Sequence, residues 1–90
     1  MKTVTKTFLR DYAHGWLSVK RKEIKDLGIV HDISSWSYMN GCSVYLEEDC
    51  DVEKYIMAQK EKGVEVKIKL GKCVESSPVR RYNRYNPYFV

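Results

Sequence analysis

Residues 42–72 read CSVYLEEDCDVEKYIMAQKEKGVEVKIKLGK, and the spacing of apolar side chains changes twice along them. Val44 and Leu46 alternate with Ser43, Tyr45 and Glu47, the period of two that gives a strand two different faces. Val52, Tyr55, Ile56 and Gln59 then recur at i, i+3, i+4 and i+7, one stripe of a helix, with Lys54, Lys60 and Glu61 lying off it. Asp49 is the expected N-cap, Asp51 and Glu53 suit the positive end of the helix dipole, and Lys60 and Lys62 suit the negative end. With Gly63 as C-cap, the helix is predicted over about residues 51–62. Val64, Val66, Ile68 and Leu70 next alternate with Glu65, Lys67 and Lys69, a strand with one apolar and one charged face. Strand, helix and strand follow with almost no loop, which predicts a right-handed crossover onto one sheet.

Upstream, Asn40-Gly41 lies between strand-like runs at 35–39 and 42–47. Both residues tolerate positive φ, so a two-residue type I′ hairpin turn is predicted there. Before it, HGWLSVKRKEIKDLGIV reads as a strand over 15–19 and a short helix near 20–27 ended by Gly28, with Ile24 and Leu27 facing inward. The opening KTVTKTFLR alternates enough for a further strand, and DYAHG turns it back. The predicted order is β-β-α-β-β-α-β, an α+β fold with one mostly antiparallel four- or five-stranded sheet and two helices on one face. From residue 15 onward this is the split order of ferredoxin-like domains, and that topology is the expected one. Residues 1–74 form the compact domain on this reading, and residues 75–90 a basic-aromatic C-terminal tail.

Ninety residues suit one domain, with 43% hydrophobic and 31% charged residues, too apolar for disorder. A domain this small has little core to spare around an enclosed active site, which argues against an enzyme. No apolar run approaches the roughly 18 residues of a membrane span, and the start has no secretion-signal core, so a cytosolic protein without membrane contact is expected. Cys42, Cys50 and Cys73 are odd in number with no C-x-x-C pair, which predicts free thiols. Together with His14 and His31 they lack the close ligand spacing of a zinc site, and no metal or other cofactor is expected. The net charge of +4 is unevenly spread: residues 1–30 carry seven basic and three acidic groups, whereas residues 47–53 carry five acids and no base. Such segregation gives a protein an oriented field without making it a polyanion binder.

No nucleophile, base and orienting group stand in a recognisable pattern. His14, before Gly15 and Trp16, reads first as a turn histidine, with a binding role as the sharper alternative. Glu47, Glu48, Asp49 and Asp51 invite a hard-metal reading, but Glu47 and Glu48 point to opposite faces and the aspartates are accounted for at the helix start. Trp36 and Tyr38, two apart, are expected on one strand face, where rings beside arginine suit a protein interface or a stacking platform. Core burial is the plainer expectation for both Trp16 and Trp36.

The tail SSPVRRYNRYNPYFV repeats Arg81-Tyr82-Asn83 as Arg84-Tyr85-Asn86 between Pro78 and Pro87. In polyproline II geometry this repeat aligns Arg81 with Arg84, and Tyr82 with Tyr85 and Tyr88. Two arrangements fit: a presented segment, or a tail folded back across the sheet with its tyrosines buried. The candidate binding residues are therefore Arg80, Arg81, Tyr82, Arg84, Tyr85 and Tyr88, with Trp36, Tyr38 and His14.

HGWLSV, LGI, YLEED followed by an aspartate and a helix, and SPVRRYNRY together resemble a group of small, mostly uncharacterised bacteriophage proteins, over most of the span from His14 to Tyr85. Lys20 departs from the proline expected to open the first helix. The resemblance brings no established activity; it implies a phage setting, in which compact proteins bind and inhibit host machinery or defence systems. The expected function is non-catalytic binding of a host or phage protein, with a counter-defence inhibitor as one form of it. A single-stranded nucleic-acid binder is the alternative, and a sponge for a small nucleotide signal the third.

Overall fold

The computed structural model describes residues 2–90. It is an α+β fold with a six-stranded mixed sheet. The strands are β1 (Lys2–Asp11), β2 (Gly15–Lys20), β3 (Tyr38–Asn40), β4 (Ser43–Glu47), β5 (Val64–Val74) and β6 (Asn83–Arg84), and the helices are α1 (Arg21–Asp26) and α2 (Val52–Glu61). The sheet order is β5-β1-β2-β4-β3-β6. β1 and β5 pair in parallel, and the other neighbours are antiparallel.

This corrects the expected sheet. It has six strands, because the tail contributes β6 at an edge, and β1 enters the interior. The crossover from β4 through α2 passes over β2 and β1 before β5 is laid down, so β1 separates β5 from β2. The ferredoxin-like pairing expected from element order is therefore not made. Order along the chain does not carry this information, since an extra N-terminal strand fits at an edge or between two others.

Leu17, Val19, Val44 and Leu46 face the helices and pack with Ile24 of α1 and Val52 and Tyr55 of α2. Tyr55 is fully buried; its hydroxyl donates to Glu23 Oε2 at 2.5 Å and accepts from Gln59 Nε2 at 3.0 Å. Burial, helped by the Glu23 carboxylate, pushes the Tyr55 hydroxyl far above the ordinary tyrosine range. The opposite face carries a second cluster of Trp16, Tyr38 and Val79, flanked by Leu9, Tyr45 and Tyr82. One face is thus covered by helices, and part of the other by the segment around Val79.

Three local expectations change. Asp51, not Asp49, occupies the N-cap position of α2. Its buried carboxylate accepts from Ser34 N (3.1 Å), Ser34 Oγ (2.7 Å) and Ser37 Oγ, pinning the loop before β3 rather than the helix. The hairpin loop is Gly41-Cys42, one residue later than predicted, because Asn40 pairs with Ser43. Gly41 alone takes positive φ (58°), the pattern of a type II′ turn, not I′. The outer half of β5 is not core: Val66 packs against the helix-side cluster, while Ile68 and Leu70 are exposed, Leu70 by 63%.

Candidate functional site

The site starts at the turn between β1 and β2. Asp11 Oδ1 accepts from Ala13 N (3.0 Å) and His14 N (2.9 Å), an Asx turn that sets the direction of β2. Gly15 follows at a close approach: a Cβ there would stand 2.2 Å from the Phe8 ring, which would have to shift to admit it. The other side of the same carboxylate holds the tail. Asp11 Oδ2 accepts from Ser77 N (3.1 Å) and Arg80 Nε (2.6 Å), and Arg80 Nη2 reaches Oδ1 at 3.1 Å. The Arg80 fork holds the Asp11 carboxyl well below the usual carboxylate range, with the three backbone donors adding to it against the cost of burial.

Arg80 also lies over the ring of Trp16, 5.4 Å from its centroid, and Trp16 meets Tyr38 edge-on at 6.1 Å. Beyond Tyr38 the arrangement repeats nearer the surface. Arg84 sits 4.8 Å from the Tyr38 centroid and 5.6 Å from that of Trp36, and its Nη1 donates to Ser35 O at 3.3 Å. Trp16 is 2% exposed and Trp36 61%. These residues line a cleft of about 350 Å³, completed by His14, Glu47, Asp49 and Cys50. Glu47 Oε2 accepts from Asp49 N (2.9 Å) and Cys50 N (2.8 Å), which folds the acidic turn into the cleft wall. Glu47 and neighbouring aspartates raise the Cys50 thiol, the hydrogen bond to Glu47 first. All three cysteines are free and exposed.

Five of the nine residues singled out from sequence meet here: His14, Trp36, Tyr38, Arg80 and Arg84. Trp36 does so from the turn before β3 rather than from the strand, and it is not a core residue. The other four lie elsewhere. The tail takes 3-10 turns at Pro78–Arg81 and Pro87–Phe89 around the short β6, so the polyproline II alignment of the repeat does not form. Tyr82 packs on Tyr45 with ring centroids 5.2 Å apart, and Arg81 is exposed away from the cleft lining. Tyr85 turns into the helix-side core at 4% exposure, its hydroxyl on Val30 O. Tyr88 is 84% exposed, near His31.

Asp11, Trp16, Glu47, Asp49 and Cys50 complete the site and were not read as part of it. The local signal for Asp11 was the spacing Asp11-x-x-His14 of an Asx turn; its contact with Arg80, sixty-nine residues away, has no local signal. Among the described residues no group of three or more His, Cys, Asp or Glu side chains is placed to hold a metal ion, and no helix is long and apolar enough to cross a membrane. Set against protein-family models, curated proteins and solved structures, the chain matches none.

Proposed function

We propose that this chain is a non-catalytic binding protein of the phage type, whose partner is a host or phage protein and whose contact surface is the cleft between Trp36, Arg84 and the Glu47–Cys50 turn. The observation that carries the reading is the exposed Trp36 ring with Arg84 stacked beside it, facing carboxylates across a small cleft. Tryptophan, tyrosine and arginine are the usual anchors of protein interfaces. A cleft with both charge signs suits a protein segment carrying both donors and acceptors, whereas a phosphate chain crossing it would meet Glu47 and Asp49. Catalysis by the cleft's thiol is disfavoured, since Cys50, raised by the neighbouring Glu47 carboxylate, stays protonated. In the phage setting the resemblance implies, inhibition of a host or defence protein is the corresponding activity.

The alternative is single-stranded nucleic acid, or a small nucleotide signal. Arginine stacked on an exposed ring favours it, as does a cleft volume within the range of ligand pockets. Capture from host lysate with and without nuclease separates the two readings. Partners recovered after nuclease, and held as salt is raised from about 50 to 200 mM, support protein binding; phosphate-driven binding falls by orders of magnitude over that range. Recovery that vanishes entirely with nuclease overturns it.

A further inference from the structure

The two edges of the sheet differ. One ends in β6, two residues long and followed at once by buried Tyr85. The other is β5, eleven residues long, and among the described residues nothing pairs with its outer side. Its register with β1 is unbroken from Val64 to Leu70, opposite Lys2 to Phe8, and shifts only beyond. The regular stretch is therefore VEVKIKL; Glu65, Lys67 and Lys69 charge one face of this edge, and no proline or bulge interrupts its unpaired backbone groups. Ile68 and Leu70 stand exposed along it.

We propose that β5 pairs antiparallel with β5 of a second copy of this chain, about a two-fold axis at Lys67. Pairing the whole regular stretch with itself centres on Lys67, and this register is self-complementary. Glu65 falls opposite Lys69 of the partner copy, twice over by symmetry, on one face. On the other face Val66 meets the partner's Ile68 and Val64 its Leu70, covering the two exposed apolar side chains. The like-charged pair is Lys67 with its own copy, on the solvent face, where long side chains diverge. Shifting the pairing by two residues toward the C-terminus sets Lys67 against Lys69 and loses the opposite-charge pairs. Shifting it toward the N-terminus keeps Glu65 against Lys67 but sets Leu70 opposite Lys62, outside the strand, so charge and apolar cover together fix the register. Because the β6 edge is short and unlike β5, the contact is isologous and closes as a dimer instead of growing into a fibre. The dimer holds two Trp36–Arg84 clefts at opposite ends of one continuous sheet; it stands or falls separately from the binding role of those clefts.

Sedimentation of the full chain at tens of micromolar tests it, with E65K, K69E and the double variant E65K/K69E. These exposed positions lie outside the cleft and the core. The expected result is a dimer for the wild type, dissociation constants raised about tenfold or more in each single variant, and recovery in the double variant, where the pair is restored with reversed sign. A monomeric wild type, single variants that dimerise as tightly as the wild type, or a double variant no better than the singles would each overturn the proposal.

Discussion

Arg80 and Arg84 are four residues apart, each rests on a tryptophan, and they do different work. Arg80 lies over buried Trp16 and forks onto Asp11, whose side chain has almost no exposure. It fastens the tail to the β1–β2 turn. Arg84 lies over exposed Trp36 and gives one long hydrogen bond to a backbone carbonyl. Cation and ring are common to both, so the difference lies in what surrounds them. Where the ring is buried and the arginine meets a carboxylate, the contact belongs to folding. Where the ring is open and most guanidinium donors remain unused, it belongs to a surface able to take a partner.

The largest effect that tests this contrast is truncation of the two tryptophans. Trp16→Ala empties a buried ring site and should lower stability by about 3–5 kcal/mol, enough to unfold much of a domain this size at 37 °C. Trp36→Ala should leave thermal unfolding within about 0.5 kcal/mol of wild type, as surface substitutions do. Comparable losses in both would erase the distinction between the two ring sites.

Next in size is the core side of β5. Val66→Asp sets a charge against the helix-side cluster and should cost about 2 kcal/mol or more, while Lys67→Asp on the exposed face should cost little. Because Val66 is only partly buried, the gap between the two is narrower than for a central strand. Chemical denaturation of both variants measures it.

The Asp11 clamp sharpens the comparison through pH. The folded-state pKa of Asp11 is depressed, so its contribution is fully present above the ordinary aspartate range and lost as pH falls through and below about 4. Asp11→Asn should melt several degrees below wild type at pH 7, and the difference should shrink steadily below about pH 4. A difference that stays constant from pH 7 to pH 3 would mean that the Arg80–Asp11 pair does not hold the tail.

Much of the fold was legible because it is written in local periodicity. The 52–61 helix was found within a residue or two and the strand after it from its first residue, since an apolar stripe and an alternation state their own geometry, although β5 continues four residues past Leu70, where the alternation ends. The sheet order was not legible: where β1 inserts is decided by the parallel pairing of Val4 with Val66 and its neighbours, a contact between distant segments. Asp51 misled for a related reason, because its partners Ser34 and Ser37 lie in another loop and only the helix start showed locally. In the site, Trp36 and Arg84 were visible as residue types that anchor interfaces, although core burial was the plainer expectation for Trp36. The division of the RYN repeat was not: Tyr85 turns into the core and Arg84 out because the short β6 puts successive residues on opposite faces.

The central claim, that the Arg84 side of the cleft binds while the Arg80 side folds, is tested most directly by partner capture with the Trp36→Ala/Arg84→Ala double variant, its fold checked by melting temperature. Removing anchors that are exposed in the free protein takes contacts only from the complex. The account predicts a melting temperature within about 2 °C of wild type and loss of nuclease-resistant partner capture. Capture retained at wild-type strength by a variant that melts like wild type would contradict it.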